Sequence, residues 1–254
     1  MKLTVKAEYL KYLILGAGGL GLALQVLLYA TGIDGRGLLV EGHWAQIALL
    51  ILTALTGILL LLRCRSISGP KKHRSCYPPS VAAAVGSGLL AIAVLICAVS
   101  EFSLEDRIEQ TDSLVGIAAG LSLAVLAFFR LRGKRPTALF HGLVAMFFIC
   151  RMIRQYNLWC IDPQLQDYAF LLSSYAALML SAYHHAEFDA GMGKHKRLWF
   201  FSLAAVFLCC VALQSGADTW LLLSGGIWAF TNMTNLTVRS RRAPEAPAEA
   251  GSEE

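Results

Sequence analysis

The fold of this chain is decided by the stretch from Phe140 to Glu187, which reads FHGLVAMFFICRMIRQYNLWCIDPQLQDYAFLLSSYAALMLSAYHHAE. It contains two long apolar runs separated by a short polar segment with a proline. Each run approaches the ~20 residues that a helix needs to cross ~30 Å of hydrocarbon. Arg151 and Arg154 stand where the first run should still lie in lipid, which is unusual for a membrane span. The stretch predicts a hairpin of two membrane-crossing helices that carries charge near its turn.

The whole chain has the composition of a membrane protein. Of its 254 residues, 56% are hydrophobic and 15% are charged, and the mean hydropathy is +0.57. Soluble globular domains are less apolar. Eight segments are long and apolar enough to span a membrane, and these are Tyr9–Tyr29, Trp44–Leu62, Ser80–Val99, Ser113–Phe129, Thr137–Gln155, Tyr168–His184, Leu198–Leu213 and Trp220–Val238. We expect an all-α transmembrane bundle of eight helices in one domain, residues 1–238, and a disordered cytoplasmic tail, residues 239–254.

The positions of lysine and arginine predict an orientation. Cytoplasmic loops of membrane proteins carry an excess of both residues. With eight crossings, 18 of the 22 cations fall on one side, and the other four are Arg36, Arg107, Arg151 and Arg154. This asymmetry predicts that both termini are cytoplasmic. It also accounts for the formal net charge of +5 without a nucleic-acid partner.

Glycines near the N-terminus form the pattern G-x-G-x-x-G at Gly16, Gly18 and Gly21. This pattern binds dinucleotides where it follows a strand and opens an amphipathic helix. Here the flanking residues are apolar nearly all round, and no alternation of strands and helices follows. We expect these glycines, like the G-x-x-x-G pair Gly116 and Gly120, to permit close packing between membrane helices.

Five polar residues are predicted to share one layer near the outer side of the membrane, and these are Arg151, Arg154, Ser173, Ser174 and Gln25. At 1.5 Å per residue, Arg151 lies ~21 Å along its span, and the two serines lie ~8–9 Å from the outer end of theirs. One hypothesis is an outward-facing pocket in which Arg151, with Arg154, receives an anionic or carboxylate-bearing ligand. The alternative is that Arg151 reaches the interface and pairs with Asp162 or Asp167 of the same hairpin.

Other titratable residues give weaker signals. His141 lies one turn into the fifth span, where a hydrogen bond at a helix interface is expected and a proton relay is the alternative. His185 and Asp189 are four residues apart, a spacing that suits a divalent metal, but their position at a membrane boundary favours a solvated interface. Cys64 and Cys76 lack the C-x-x-C spacing of zinc sites. We expect no metal site, no cofactor and no catalytic residue.

The motifs of common membrane and soluble enzymes are missing from the sequence. There is no H-E-x-x-H, no G-x-S-x-G with a partnered base and no Walker A motif. No acidic residue lies deep in a predicted span, which argues against ion-coupled transport through a buried carboxylate. We expect a binding or transport-type membrane component without its own energy-coupling motif, whose partners are the lipid bilayer and a membrane-protein subunit. A non-catalytic sensor or scaffold is the alternative, and a membrane enzyme comes third.

The stretch from DPQLQDYAF, residues 162–170, to KHKRLWFFSLAAVFLCC, residues 194–210, resembles uncharacterised multi-pass membrane proteins of anaerobic Gram-positive bacteria. The resemblance extends over much of the chain and has no chemical signature. It implies the plasma membrane of a bacterial cell and adds no activity, cofactor or site residue.

Overall fold

The computed structural model describes residues 2–32, 42–65, 67, 77–102, 107–159, 165–213 and 218–236, with no side-chain description for 2–8, 159 and 165–168. The predicted tail, residues 239–254, lies outside these ranges. Within them the chain forms eight helices and no strand, and the helices are α1 (Lys2–Thr31), α2 (Trp44–Cys64), α3 (Val81–Ser100), α4 (Arg107–Arg132), α5 (Ala138–Trp159), α6 (Leu165–Ala190), α7 (His195–Ala212) and α8 (Thr219–Thr234). The all-α prediction is confirmed for the described part of the chain.

Six of these helices, α1 to α5 and α7, are long and apolar enough to cross a membrane. The protein is therefore membrane-embedded. The other two differ in kind: α8 has 16 residues, fewer than the ~20 that span the hydrocarbon. Helix α6 has 26 residues but ends in the polar sequence HHAEFDA.

Successive helices run in alternating directions, because the start of one repeatedly contacts the end of another. Near the start of α1, Lys11 donates to the carbonyl of Thr234 at the end of α8, over 3.5 Å. At the same end, the amide of Ser80 donates to the carbonyl of Arg130 over 3.2 Å. We call this end, where α1 begins, the basic end of the bundle, and the opposite end, where α8 begins, the acidic end.

The helix termini follow local sequence. Ser80 precedes α3 in extended conformation, and its hydroxyl accepts a hydrogen bond from the amide of Ala83. This is the usual N-cap interaction, and it satisfies one amide that has no partner within the helix. Pro78 and Pro79 stand directly before it, where the missing amide hydrogens are not needed. The sequence thus places the start of α3 within one residue of the predicted span.

The interior consists of two apolar clusters. The larger lies among α3 to α8 and contains the fully buried side chains of Phe147, Phe148, Tyr175 and Trp228. The smaller attaches α1 and α2 to α7, with Trp199 at its centre. Helix α2 packs against α1 and α7, and most of its surface is exposed. The centre of the bundle is filled by side chains.

Close helix approach at glycines is confirmed at two predicted places. A Cβ atom added at Gly21 would lie 2.6 Å from Cγ2 of Val211 on α7, and one added at Gly120 would lie 2.5 Å from Cγ of Leu95 on α3. Both distances are too short for van der Waals contact. Because lipid supplies no hydrophobic drive between helices, such contacts provide much of the packing attraction. Two glycines of the α1 pattern, Gly18 and Gly21, thus serve close packing against α7, whereas a Cβ atom at Gly16 would meet nothing within 4 Å.

Candidate functional site

At the acidic end, Arg151 of α5 is held by three carboxylates from three other parts of the chain. Nη1 donates to Glu101 and, over 3.1 Å, to Asp112, while Nη2 donates to Glu101 and Asp218. Nε donates to Oδ2 of Asp218 over 3.0 Å. These contacts use all five N–H donors of a guanidinium. Arg151 is only 1% exposed.

Arg154, one turn further along α5, extends the same group of charges. Its Nη1 contacts Glu101 and, at 3.5 Å, Asp112, and its Nη2 lies 3.1 Å from Glu109. Helix α5 thereby bonds to the end of α3 and to the first turns of α4. We call these two arginines and their carboxylates the ion cluster, and its members are Glu101, Glu109, Asp112, Arg151, Arg154 and Asp218.

Neutral donors complete the surroundings of Asp218. Oδ2 of this residue accepts from the phenol of Tyr175 at 2.5 Å and from the side-chain amide of Gln155 at 2.8 Å. Asp218 precedes α8, so its carboxylate joins α5, α6 and α8 at one point. Asp218 thus accepts hydrogen bonds from two helices, from Arg151 and Gln155 of α5 and from Tyr175 of α6.

Two carboxyls of the ion cluster, Glu101 and Asp218, lie just outside the helices and have pKa values below the ordinary ones. Burial alone would raise the pKa of Glu101, but hydrogen bonds and charges from Arg151 and Arg154 hold its pKa below the ordinary value. Burial would likewise raise the pKa of Asp218, and Arg151, Tyr175 and Gln155 together hold that pKa below the ordinary value. Both groups are therefore charged at neutral pH.

The ion cluster is closed to solvent at its centre. The donors of Arg151 are occupied by Glu101, Asp112 and Asp218 of its own chain, and the alternative hypothesis, pairing with Asp162 or Asp167, stays a prediction. Asp162 and the side chain of Asp167 lie outside the described residues. Binding of an anionic ligand by Arg151 and Arg154 stays a prediction. In the observed geometry, Arg151 has no free N–H group to donate to such a ligand.

A second polar group lies at the basic end, around His141 of α5. Its Nδ1 is 2.5 Å from Oδ2 of Asp189, and both side chains are 1% exposed. The ring of His185 stacks on that of His141 with centroids 5.2 Å apart, and Nδ1 of His185 lies 3.1 Å from the hydroxyl of Tyr77. The guanidinium of Arg130 lies over the Tyr77 ring at 4.0 Å. The expected interface hydrogen bond of His141 is present.

The described residues contain no group of three or more histidine, cysteine, aspartate or glutamate side chains that could hold a metal ion. His185 and Asp189, which have metal-like spacing, point to different partners. His185 bonds to Tyr77, whereas Asp189 bonds to His141. Their burial at a helix junction serves packing rather than a solvated interface.

Between α2 and α6 lies a cavity of about 590 Å³ that contains two of the predicted site residues, Gln25 and Ser173. Its other lining residues are Leu28, Gln46, Leu49, Leu50, Thr53, Ala54, Ala169, Phe170 and Leu208. None of these described residues is charged. We call this space the neutral cavity. Its volume lies within the ~300–1,000 Å³ typical of small-molecule sites.

Gln25 lines the neutral cavity, and its side-chain oxygen has no hydrogen-bond partner among the described residues. Gln25 is 3% exposed. An unsatisfied buried amide oxygen costs ~1–3 kcal/mol. Ser174, another of the five predicted residues, is fully buried, and its hydroxyl donates to the carbonyl of Leu171 over 2.7 Å. Ser174 therefore supports the helix and does not line the cavity.

The structure places four of the five predicted residues in two separate groups, and the fifth, Ser174, belongs to neither. Arg151 and Arg154 belong to the ion cluster, whereas Gln25 and Ser173 line the neutral cavity. Sequence reasoning missed the carboxylates that hold Arg151. The available signal was that Glu101, Asp112 and Asp218 border predicted spans at the same end as Arg151.

Comparison of the chain with protein-family models, with curated proteins and with solved structures found no match. The resemblance to membrane proteins of anaerobic Gram-positive bacteria thus stays an expectation.

Proposed function

We propose that this protein is a membrane-embedded binding component that holds an uncharged amphipathic ligand in the neutral cavity between α2 and α6. The observation that carries this proposal is a cavity of about 590 Å³ with an uncharged lining that includes Gln25, whose buried Oε1 has no hydrogen-bond partner among the described residues. A ligand with a hydroxyl or amide donor would supply that partner after a rotation of the Gln25 side chain toward the cavity. Binding of this kind needs no energy-coupling motif and no catalytic group.

The lining of the neutral cavity defines the chemistry of the ligand. Its polar side chains, Gln25, Gln46, Thr53 and Ser173, are all neutral, and the remainder of its lining is aliphatic or aromatic. A charged ligand entering this space loses hydration without gaining an ion pair, which is costly in a low-dielectric site. An uncharged lipid with a hydroxyl or carbonyl group beside its acyl chains meets both parts of the lining.

Access to the neutral cavity is lateral. Ala54 and Ser173 line it and are themselves exposed on the surface of α2 and α6, where neighbouring residues such as Leu55 are apolar and face outward. In a membrane this surface contacts acyl chains. A ligand dissolved in the bilayer therefore reaches the cavity without crossing water.

The proposal includes a topology of eight spans with both termini in the cytoplasm of a bacterial cell, in the plasma membrane. It is supported by the alternating helix directions and by the sequence, in which 18 of the 22 cations fall on one side when eight spans are counted. Six helices meet the length and apolarity needed to span. In the proposed topology α6 and α8 also cross the membrane, and neighbouring helices shield their polar residues from lipid.

The test uses a photo-activatable diacylglycerol, which is uncharged and carries a hydroxyl group and ester carbonyls. We expect it to crosslink to the purified full-length chain at residues 46–54 of α2 and 169–173 of α6. Replacement of Ala54 by tryptophan fills the mouth of the cavity and should lower crosslinking at least about tenfold, which equals ~1.4 kcal/mol of binding. Gln25→Leu removes the hydrogen-bond acceptor at similar volume and should weaken binding by a comparable amount.

Leu55→Trp is the matched control, because Leu55 is adjacent to Ala54, is 60% exposed and does not line the cavity. Its crosslinking should stay within about twofold of wild type, or ~0.4 kcal/mol. Equal labelling of the Ala54→Trp and Leu55→Trp variants, with both correctly folded, would rule out the neutral cavity as the binding site.

A non-catalytic scaffold is the second candidate, and the filled centre of the bundle favours it. Trp199, Trp228, Phe147 and Phe148 are all buried there, and Arg151 is enclosed, so a central water-filled pathway finds no support in the described residues. A scaffold of this kind predicts co-purification of a stable protein partner from native membranes and no saturable binding of the diacylglycerol.

A further inference from the structure

The groove between α2 and α6 has a second cavity, at the basic end, with different chemistry. Its volume is about 480 Å³, and it is lined by Leu61, Cys64, Arg65, Leu180, Tyr183, His184, Lys196, Arg197, Phe200 and Phe201. We propose that it binds an anionic phospholipid of the adjacent leaflet, with the phosphate among Arg65, Lys196 and Arg197 and an acyl chain along the groove. This site is separate from the neutral cavity and does not depend on its ligand.

The charge at the mouth of this basic-end cavity is unbalanced. Arg65, Lys196 and Arg197 are exposed, and none of them has an ion pair with a described residue. Two acids lie on the last turns of α6, and both have histidine partners: Glu187 is 2.8 Å from Nδ1 of His184, and Asp189 is 2.5 Å from Nδ1 of His141. Three cations that have no ion pair among the described residues surround one opening and complement a phosphate group.

The interior of the basic-end cavity is apolar. Leu61, Leu180, Phe200 and Phe201 form its walls and floor, so the same opening presents cations at its rim and hydrocarbon below them. A free phosphate or a soluble anion uses only the rim. A phospholipid uses both parts, because its charge and its acyl chains are joined in one molecule.

The distance along α2 from the rim of the basic-end cavity to the neutral cavity is close to the hydrocarbon thickness of one leaflet. From Cys64 at the rim to Ala54, where the neutral cavity begins, the ten residues of α2 span ~15 Å at 1.5 Å per residue. The hydrocarbon of one leaflet is half of ~30 Å. On α2, Leu61 of the basic-end cavity lies seven residues after Ala54 of the neutral cavity. On α6, Leu180 of the basic-end cavity also lies seven residues after Ser173 of the neutral cavity. The two helices therefore line both cavities side by side.

The test measures which lipids the full-length protein retains. The chain is reconstituted in bilayer discs with equal amounts of phosphatidylglycerol and phosphatidylcholine of identical acyl chains, extracted in mild detergent and analysed by native mass spectrometry. We expect phosphatidylglycerol to be enriched among the retained lipids. A cation near an anionic headgroup contributes about fivefold, so the double variant Lys196→Gln/Arg197→Gln should lose roughly 10- to 25-fold of that preference.

Arg132→Gln/Lys134→Gln is the control, because it removes one arginine and one lysine that are exposed at the same end but do not line the cavity. It should keep the preference within about twofold. An equal loss in both double variants would overturn the proposal, since it would show that general surface charge selects the lipid. Retention of the preference in Lys196→Gln/Arg197→Gln would overturn it as well.

A further arm separates a lipid from a free anion. Glycerol 3-phosphate, which has the phosphate but no acyl chain, should not displace the retained phosphatidylglycerol at millimolar concentration. Displacement would show that the rim alone binds phosphate and would overturn the acyl-chain part. Leu180→Trp fills the apolar wall, leaves the cations in place and should lower phosphatidylglycerol retention, whereas unchanged retention would contradict seating in the groove.

Discussion

Arg151 and Asp218 lie side by side at the acidic end of the bundle, with Nε of the arginine 3.0 Å from Oδ2 of the aspartate. Asp218 has a φ angle of 56° and precedes α8, yet its side chain makes no capping hydrogen bond to that helix. A left-handed conformation is uncommon for residues other than glycine. The carboxylate of Asp218 thus bonds to Arg151 of the ion cluster instead of capping the first amides of α8.

The first prediction concerns the removal of Arg151. Arg151→Leu leaves Glu101, Asp112 and Asp218 close together without their shared cation, which should cost about 3–5 kcal/mol of unfolding free energy. Denaturant unfolding in detergent micelles measures it. Arg154→Leu should cost less, since Arg154 is 12% exposed and pairs with the more accessible Glu109. Equal effects of the two substitutions would contradict the central role of Arg151.

The second prediction isolates the backbone at Asp218. Asp218→Ala and Asp218→Gly both remove the carboxylate, but only glycine adopts a positive φ angle without strain. The glycine variant should be the more stable by about 1–2 kcal/mol. Paired melting curves of the two variants give the difference. An alanine variant as stable as the glycine variant would mean that α8 begins in another conformation.

The third prediction is a loss of stability in acid. The pKa of Glu101 and the pKa of Asp218 are lowered from ordinary values of 4.5 and 3.8 in the folded protein. A carboxyl of this kind stabilises the folded state above its unfolded pKa, and the contribution disappears as the pH falls through the folded pKa. Thermal stability should therefore be constant near neutrality and decline below about pH 4.5. Glu101→Gln should decline less steeply, and superimposable profiles would refute the assignment.

The fourth prediction uses two neighbouring glycines of α1. A Cβ atom at Gly21 would lie 2.6 Å from Val211, whereas at Gly19 it would meet nothing within 4 Å. Gly21→Ala should therefore destabilise the protein by about 1–3 kcal/mol through overpacking. Gly19→Ala should be neutral or stabilise by up to ~1 kcal/mol through helix propensity. Unfolding of the two single variants under identical conditions decides whether α1 packs on α7 as described.

The fifth prediction tests the buried pair at the basic end. His141→Leu removes the partner of Asp189 where both side chains are 1% exposed, and an unsatisfied carboxylate oxygen there should cost about 1–3 kcal/mol. His184→Leu is the comparison, since its partner Glu187 is 20% exposed and can bond to water. A larger loss for His184→Leu than for His141→Leu in the same melting assay would contradict the buried interface.

Helix positions were predictable because they depend on local sequence. The apolar runs, the proline pair before α3 and the glycines of α1 each act within a few residues, and the observed helices agree with them. The depth of Arg151 was also inferred from the rise of 1.5 Å per residue. A long-range partner cannot be found in this way, because depth does not tell which helices are neighbours.

Ser173 and Tyr175 show why equal depth was not enough. They lie on α6 at similar heights, but two residues correspond to a rotation of roughly 200° about the helix. Tyr175 therefore points to Asp218 in the ion cluster, whereas Ser173 points to the neutral cavity. The prediction grouped Ser173 with Arg151 by depth alone. The direction of each side chain depends on the order of the helices, which is a property of the whole bundle.

The bonds of the ion cluster join the end of α3, α4, α5 and the start of α8, and none of them involves α2. Helix α2 packs against α1 and α7, and it also lines both cavities. Among the described residues, α2 is therefore held to the bundle by apolar packing, whereas α3, α4, α5 and the start of α8 are joined by charged hydrogen bonds. A displacement of α2 would leave the bonds of the ion cluster intact.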